Sequence, residues 1–243
     1  MLRVFGEGQI LMKKPRAPII VAHKVNRPAL LRRYLSIGVP FLEIDVNLNG
    51  DCLVVQHGAD FSNFGAVRGE IMKLGYILME HRDPLWKPLL LEDYLSMVGG
   101  RTGLWLDIKC KNVERDIIGL VRKHDVKPIV VSSAYHEALK AIKEMEPSIT
   151  TILGNVMFRP ADPVGMVRAA KADGISVERR YIDRELVETV HSAGLQVAAW
   201  TVNDTEKARE LIGMGCDYII TDVPEKILRL VGELKGAQAT RPL

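Results

Sequence analysis

The sequence predicts an α/β protein that folds as one single-domain TIM (β/α)8 barrel. Short β-rich runs alternate with amphipathic helical patterns along the chain, which favours a parallel sheet covered by helices. Eight such units in 243 residues fit a barrel better than an open sheet. No G-x-G-x-x-G pattern follows the first strand, which argues against a dinucleotide-binding fold.

The predicted strands are short apolar runs that end in polar residues. In chain order they are PIIVAH, FLEIDV with its extension CLVVQH, GLWLDIK, PIVVSS, ITTILGN, ISVE, LQVAAWTV and DYIITD. The turn NLNGD joins FLEIDV to CLVVQH, so we count the two runs as one barrel strand with a hairpin extension. This count gives the eight strands that the fold requires.

Helical patterns separate the predicted strands. In chain order they are RPALLRRYLSIG, LLLEDYLSMVGG, VERDIIGLVRKHD, HEALKAIKEMEP, PVGMVRAAKADG, DRELVETVHSAG, DTEKARELIGMG and PEKILRLVGELKG. Pro28 near the start of the first pattern and Gly38 at its end are typical helix boundary residues. We predict that residues 1–17 form an N-terminal extension and that residues 18–243 form the barrel domain.

Composition excludes several classes of protein. A formal net charge of +3 does not indicate a nucleic-acid partner. The three cysteines show no C-x-x-C spacing, so neither a disulfide framework nor a structural zinc site is expected. The sequence contains no run that resembles a secretion signal or a transmembrane segment. We therefore expect a cytoplasmic protein, and the sequence gives no indication of its oligomeric state.

Polar residues collect at the predicted strand ends, which is where TIM barrels carry their active sites. Because side chains alternate across a strand, Glu43 and Asp45 share one face and Leu42, Ile44 and Val46 take the other. Asp107 and Lys109 repeat this arrangement on the third strand. The residues at strand ends that carry functional chemistry are His23, Glu43, Asp45, His57, Asp107, Lys109, Glu178 and Trp200.

Two interpretations of the acidic residues remain open from spacing alone. Three carboxylates from neighbouring strands suit a hard divalent cation with oxygen ligands. They equally suit a salt-bridge cluster around Lys109. His23 and His57 can act as general acid and base, although a single histidine is more often a hydrogen-bonded structural residue.

Six motifs in register carry a resemblance to a known family. The chain reads AHKVN, EIDV, VVQHG, LDIK, WTVN and TDVP in this order. This pattern resembles the glycerophosphodiester phosphodiesterase family of phospholipase-C-like phosphodiesterase barrels. The resemblance implies that Glu43, Asp45 and Asp107 bind Mg²⁺ or Ca²⁺, with His23 and His57 as acid and base. It also implies substrate or phosphate contacts, for which we predict Lys24, Asn26, Lys109, Trp200 and Glu178.

The resemblance also implies a reaction. A divalent cation binds a phosphate oxygen and a neighbouring substrate hydroxyl, and it lowers the pKa of that hydroxyl. One histidine removes the hydroxyl proton and the other protonates the leaving alcohol. The hydroxyl attacks phosphorus to give a cyclic phosphate, which water then opens. The expected substrate is a glycerophosphodiester, and the expected products are glycerol phosphate and an alcohol.

Three departures from the family pattern keep the substrate open. Lys24 stands where the family has arginine, Gly58 where it has aspartate, and Asp107 where it has glutamate. The patterns H-x-V-N with Val25, HG with Gly58 and D-x-K with Asp107 are similar to the sphingomyelinase D branch, so a lysophospholipase D or sphingomyelinase D-like enzyme acting on lysophospholipids is an alternative. A non-catalytic phosphate-binding barrel is a second alternative.

The long loop after His57 bears on the lysophospholipid alternative. Its apolar side chains either form a wall for an acyl chain or pack on one another over the barrel. The side chains in question are Phe61, Phe64, Met72, Tyr76 and Trp86.

Overall fold

A computed structural model of the chain describes residues 17–58, 65, 67–69, 71–72, 74–75 and 87–239. The described strands are β1 Ile19–Ala22, β2 Phe41–Asn49, β3 Cys52–Val55, β4 Leu89–Leu90, β5 Gly103–Ile108, β6 Ile129–Ser133, β7 Thr150–Val156, β8 Gly174–Glu178, β9 Gln196–Trp200 and β10 Tyr218–Thr221.

Eight parallel strands close into the predicted TIM barrel. Neighbouring strands pair in parallel from β2 through β5 to β10, and β1 joins β10 to β2 to close the sheet. The CLVVQH run forms β3, which pairs antiparallel with the end of β2, as the hairpin prediction requires.

Helices follow the barrel strands and cover the outside of the sheet. They are α1 Pro28–Ser36, α2 Leu91–Val98, α3 Glu114–His124, α4 His136–Met145, α5 Pro163–Ala169, α6 Arg184–Ser192, α7 Thr205–Met214 and α8 Pro224–Ala239. No helix in the described part of the chain is long and apolar enough to cross a bilayer.

Each predicted helical pattern corresponds to one of these helices, although the ends differ. The pattern PVGMVRAAKADG runs to Gly174, but α5 ends at Ala169 and Gly174 begins β8. The pattern LLLEDYLSMVGG predicts helix from its first leucine, but Leu89 and Leu90 form β4 instead. Their backbones pair with Val55 and Val54 of β3, so sheet pairing overrides the helical pattern there. The helix α2 begins only at Leu91.

Aspartate side chains begin three consecutive helices at the end of the barrel that carries the strand C-termini. Asp162, Asp183 and Asp204 each accept a hydrogen bond of 2.8 Å from a backbone N–H in the first turn of α5, α6 and α7. These caps satisfy N–H groups that have no partner within the helix. They therefore fix the points at which the loops above the barrel end.

Two apolar cores lie on opposite faces of the barrel strands. Leu42, Ile44 and Val46 face outwards and pack in the core that the helices share, as the alternation predicts. The barrel interior holds a second cluster: Val21, Phe41, Trp105, Val130, Ile152, Ala198, Tyr218 and Ile220. This second cluster, which we call the interior plug, fills the end of the barrel below the site described next.

A glycine allows the interior plug to close at its base. A Cβ atom at position 103 would lie only 2.6 Å from the Phe41 ring, so the ring packs directly on the Gly103 backbone.

Candidate active site

A cavity of about 220 Å³ opens above the interior plug, at the C-terminal ends of the strands. It brings together eight of the ten site residues that the sequence predicts: His23, Lys24, Glu43, Asp45, His57, Asp107, Lys109 and Trp200. The two others, Asn26 and Glu178, do not line it. The convergence follows from the parallel barrel, in which all strand C-termini meet at one end.

The three predicted acidic ligands form one compact cluster. Glu43, Asp45 and Asp107 are each buried, and each offers a carboxylate oxygen that lies within 4.8 Å of the other two. Pairing of β2 with β5 places Asp45 directly beside Asp107, and Glu43 lies one step below on the same face. Oxygen ligands at this spacing match the coordination that Mg²⁺ and Ca²⁺ prefer.

Lys109 provides part of the counter-charge. Its Nζ lies 3.2 Å from Asp45 Oδ1 and donates a hydrogen bond to Asp107 Oδ2. Burial lowers the pKa of Lys109, but the charges of Asp107 and Asp45 outweigh burial and raise the pKa overall. The ammonium therefore stays charged beside three carboxylates.

One lysine does not balance the cluster. Burial and the charge of Asp45 raise the pKa of Glu43 to about 8. Burial also raises the pKa of Asp107, although Lys109 opposes the shift. Because the charge of Asp45 adds to the effect of burial on this pKa, a bound cation would favour the charged form of Glu43. The donor set thus fits a divalent cation, even though the salt bridges to Lys109 are also present.

Hydrogen bonds from the segment after β1 hold two of the ligands. The Lys24 backbone N–H donates to Glu43 Oε2 at 2.6 Å, and Lys24 takes a left-handed backbone conformation with φ of 51°. Asn26 binds Asp45 twice, since its Nδ2 donates to Asp45 Oδ2 at 2.7 Å and its Oδ1 accepts from the Asp45 backbone at 3.0 Å. Asn26 thus orients a ligand, which differs from the substrate contact that we predict from the sequence.

Ser132 of β6 supports the third ligand. Its hydroxyl donates to Asp107 Oδ1 at 2.9 Å and accepts from the Trp105 indole Nε1 at 2.7 Å. The interior plug is therefore connected by hydrogen bonds to the acidic cluster. The sequence shows Ser132 at a strand end but does not reveal this role, because the contact depends on the register between β5 and β6.

Asp222 positions the first predicted catalytic histidine. His23 Nδ1 lies 2.7 Å from Asp222 Oδ1, so a protonated Nδ1 donates a hydrogen bond to this carboxylate. The other ring nitrogen, Nε2, takes no part in this contact. Asn203 holds Asp222 in turn, with its Nδ2 2.7 Å from Asp222 Oδ2. Neither residue is among the site residues that we predict from the sequence, although Asn203 ends the WTVN motif and Asp222 lies in the TDVP motif.

The Asp222 contact shifts the titration of both partners. Burial lowers the pKa of His23, but the hydrogen bond to Asp222 and the charges of Glu43 and Asp222 raise it overall. The hydrogen bond to His23 lowers the pKa of Asp222. His23 therefore carries a proton over a wider pH range than an unperturbed histidine does.

His57 enters the cavity from the segment that follows β3. The backbone of its neighbour Gln56 donates to the Asp45 carbonyl at 3.0 Å, which ties this segment to the ligand strand. Gly58 follows with φ of 152°, and its carbonyl accepts from Asn47 at 3.4 Å. The hairpin β2–β3 thus returns the chain over the acidic cluster and delivers the second histidine.

The two remaining predicted contacts differ in outcome. Trp200 lines the cavity, and its Nε1 donates to the Ser176 carbonyl at 3.3 Å. Glu178 is buried, and its carboxylate accepts from the Arg180 backbone at 2.8 Å and from Arg180 Nε at 3.0 Å. Because Arg180 engages Glu178 outside the cavity lining, the structure does not place Glu178 with the other site residues.

Most of the predicted apolar wall cannot be placed. Phe61, Phe64, Tyr76 and Trp86 lie outside the described residues. Met72 is described and is 42% exposed.

The chain is similar in sequence to glycerophosphodiester phosphodiesterases from two organisms. A glycerophosphodiester phosphodiesterase from Caldanaerobacter subterraneus is 25% identical, over 88% of this chain and 97% of that protein. A second one, from Bacillus altitudinis, is 23% identical over 83% of this chain and 90% of that protein.

Solved structures show the same fold. An Oleispira antarctica phosphodiesterase in complex with the product sn-glycerol-3-phosphate has a TM-score of 0.72 at 23% identity, covering 89% of this chain and 97% of its own. A glycerophosphodiester phosphodiesterase from Parabacteroides distasonis has a TM-score of 0.72 at 20% identity, covering 90% of this chain and 98% of its own. At this level of identity the likeness supports the barrel fold.

The family assignment rests on the chain's own sequence. Residues 103–226 match the model of the Glycerophosphoryl diester phosphodiesterase family, and this match spans half of the chain. The matched region runs from β5, which carries Asp107 and Lys109, to the TDVP motif that supplies Asp222. The chain belongs to the glycerophosphoryl diester phosphodiesterase family.

Proposed function

We propose that this chain is a divalent-cation-dependent enzyme that hydrolyses glycerophosphodiesters to glycerol phosphate and an alcohol. The observation that carries the proposal is one cavity that holds three converging carboxylates and two histidines. The names of the relatives and the glycerol phosphate product bound to the Oleispira antarctica phosphodiesterase support the same substrate class.

Glu43, Asp45 and Asp107 are the residues that would hold the cation, and both Mg²⁺ and Ca²⁺ suit their oxygen atoms. When bound, a cation at this position would neutralise phosphate charge and lower the pKa of a coordinated hydroxyl. Asn26 and Ser132 keep Asp45 and Asp107 oriented for this task, because each donates a hydrogen bond to a carboxylate oxygen.

Two histidines would carry the proton transfers. Asp222 fixes His23 through Nδ1, so Nε2 is the atom that exchanges a proton with substrate. His57 lies on the wall of the same cavity and would act on the other oxygen of the diester. One imidazole takes the proton of the attacking hydroxyl while the other gives a proton to the leaving alcohol, and a cyclic phosphate is the expected intermediate.

Two lysines would bind the phosphate. Lys109 already lies among the carboxylates, and Lys24 lines the cavity beside His23. A lysine supplies a compact point charge, whereas the arginine of the commoner family pattern supplies a planar fork that binds two oxygens. We therefore expect phosphate to be held less rigidly at this position than in family members that carry arginine.

Assaying the purified protein with glycerophosphocholine tests the proposal. Release of glycerol phosphate should require Mg²⁺ or Ca²⁺, should stop on chelation and should recover when the cation is restored. The 31P spectrum of the reaction would show whether a cyclic phosphate accumulates. Absence of turnover over a broad panel of diesters, with phosphate binding retained, would instead establish the non-catalytic barrel.

Lysophospholipids are the second candidate substrates, and one surface feature favours them. Met157 and Phe158 directly follow β7, which contributes Gly154 and Asn155 to the cavity lining, and Phe158 is 73% exposed. Exposed apolar side chains beside an active site can contact an acyl chain. Mass spectrometry of lysophosphatidylcholine digests would detect lysophosphatidate or its cyclic form. A chain that consumes only water-soluble diesters would remove this candidate.

Three expectations stay predictions from the sequence alone. They are the cytoplasmic location, the absence of a nucleic-acid partner and the domain boundary after residue 17.

A further inference from the structure

The cavity has two halves of different chemistry. Charged side chains come from β2 and β5 and from the residues that directly follow β1 and β5, and these three strands lie side by side in the barrel. The opposite wall, built by the ends of β7, β8 and β9, carries no charged side chain among the described lining residues. Its members are Gly154, Asn155, Ser176, Trp200 and Thr201. A diester whose phosphate lies against the charged half would place one of its alcohol groups against this uncharged half.

Asn155 holds an unusual backbone position in the uncharged half. Its φ of 59° lies in the left-handed region, and the pairing of β7 with β8 is shifted between Leu153 and Val156, as in a bulge. Bulges beside active sites often redirect a side chain. Position 154 cannot supply one without a shift of its neighbour, because a Cβ atom there would lie 3.2 Å from the Ser133 backbone nitrogen. Asn155 is thus the side chain that β7 offers at this wall.

The Asn155 amide has no hydrogen-bond partner among the residues that the structure describes. The other asparagines of the site behave differently, since Asn26 binds Asp45 and Asn203 binds Asp222. Asn155 is exposed and lines the cavity, so its donor and acceptor are available to a ligand.

We propose that Asn155 determines specificity by hydrogen-bonding a hydroxyl of the glycerol moiety. The inference rests on the proposed function, and it places the glycerol hydroxyl that does not attack phosphorus against the uncharged half of the cavity. A neutral amide can both donate to a hydroxyl and accept from it. The amide carries no charge, so it is a weaker partner for phosphate than a lysine is, and a weaker partner for a cationic headgroup than a carboxylate is.

Two ligands that differ only in their alcohol isolate this contact. Methyl phosphate and sn-glycerol 3-phosphate carry the same phosphomonoester, but only the second has hydroxyls for Asn155 to bind. Isothermal titration of the Mg²⁺- or Ca²⁺-loaded protein with each ligand gives the preference for glycerol phosphate as a ratio of two Kd values.

Asn155→Gly is the decisive variant, because glycine adopts the same positive φ and removes only the amide. Loss of one hydrogen bond should raise the Kd of glycerol phosphate about three- to tenfold, while the Kd of methyl phosphate should stay the same. Asn112→Gly is the matched control. Asn112 also has a positive φ, 63°, but it lies in an exposed turn outside the cavity, so neither Kd should change.

Each result bears on the proposal. Unchanged binding of glycerol phosphate by Asn155→Gly would show that Asn155 serves only the backbone conformation and would overturn the inference. An equal loss for both ligands would overturn it as well, because the amide would then act on the phosphate. These outcomes differ from failure of the proposed function, in which the parent protein hydrolyses no diester and does not distinguish the two ligands.

Discussion

The two ends of the barrel interior carry opposite chemistry on the same faces of the same strands. On β2, Phe41 belongs to the interior plug, and Glu43 and Asp45 of the same face belong to the acidic cluster. On β5, Trp105 and then Asp107 repeat the change. One alternation of side chains therefore builds a dry packed end and a charged catalytic end within a few residues.

The difference shows where stability and function are obtained. In the interior plug the Trp105 and Tyr218 rings pack edge to face with centroids 5.2 Å apart, and burial of such rings stabilises the fold. In the acidic cluster, burial disfavours the charged carboxylates, as the raised pKa of Glu43 reports. The plug thus offsets the cost of holding three acids in a buried position.

Removing a proposed catalytic histidine is expected to have the largest effect on activity. His57→Ala removes one partner of the proton transfers, and kcat should fall about 10²- to 10⁴-fold. The midpoint of thermal unfolding should change little, because His57 lies on the cavity wall and not in the interior plug. Steady-state kinetics and thermal melts of the same preparation measure both quantities.

His136→Ala provides the control, since His136 is exposed on α4 and lies outside the cavity lining. Its kcat should match that of the parent. Full activity of His57→Ala would exclude the assigned role of this histidine.

A substitution in the interior plug should have the reverse profile. Ile152 is fully buried, so Ile152→Ala should lower the free energy of unfolding by about 2–5 kcal/mol through lost burial and a cavity. Activity per folded molecule should stay near that of the parent. Urea unfolding followed by fluorescence measures the loss, and Ile37→Ala at a half-exposed position should cost less than about 0.5 kcal/mol.

An Ile152→Ala protein that keeps its stability but loses activity would contradict the division of the barrel into two ends. The division would also fail if Ile37→Ala destabilised the chain as strongly as Ile152→Ala does.

Strand-end positions could be predicted from the sequence because they follow from local patterns. Alternation on FLEIDV and GLWLDIK identifies Glu43, Asp45 and Asp107, and the parallel barrel then brings them together. Their hydrogen-bond partners could not be predicted in this way. Asn203 and Asp222 are far from His23 in sequence. The contact between Asp222 and His23 arises because β1 pairs with β10 in the closed barrel.

Glu178 shows that a position at a strand end is not sufficient to predict a site residue. It ends a strand at the same end of the barrel as the acidic cluster, but Arg180 follows two residues later and its guanidinium engages the carboxylate. Position at a strand end therefore predicts proximity to the site. Neighbouring charges decide whether the side chain is available to it.

The acidic cluster should make the metal-free protein less stable as pH rises. The pKa of Glu43 is about 8 in the folded chain and ordinarily 4.5, so the folded state binds the additional proton between these values. Its contribution to stability is complete below about pH 4.5 and is lost as pH rises through 8. Each loss of about 1 kcal/mol in the free energy of unfolding lowers the midpoint of thermal unfolding by about 2–4 °C for a chain of this size.

Thermal melts in chelator at pH 6 and pH 8.5 should show this fall, and Mg²⁺ or Ca²⁺ should restore more stability at pH 8.5. Glu43→Gln should remove most of the pH dependence, because the amide does not titrate. A parent protein whose midpoint is the same at both pH values would contradict the predicted charge imbalance.

Asp222→Asn tests the positioning of His23 and should have the smallest effect of the four. An asparagine keeps the shape of the side chain but removes the charge that helps to raise the pKa of His23, so this pKa should fall. The acid form of His23 is then lost at lower pH, and the alkaline limb of the activity profile should move the same way. Histidine Cε1–H resonances measured over pH give the pKa directly.

Asp204→Asn is the matched control for this substitution. Asp204 caps α7 near the same end of the barrel without contacting His23, and asparagine is also a favourable cap residue. It should leave the pKa of His23 and the activity profile unchanged. The contrary result is an Asp222→Asn protein with a lower kcat in which both the pKa of His23 and the pH profile of activity are unchanged. That result would show that Asp222 holds His23 in place and that its charge has no effect on the titration of His23.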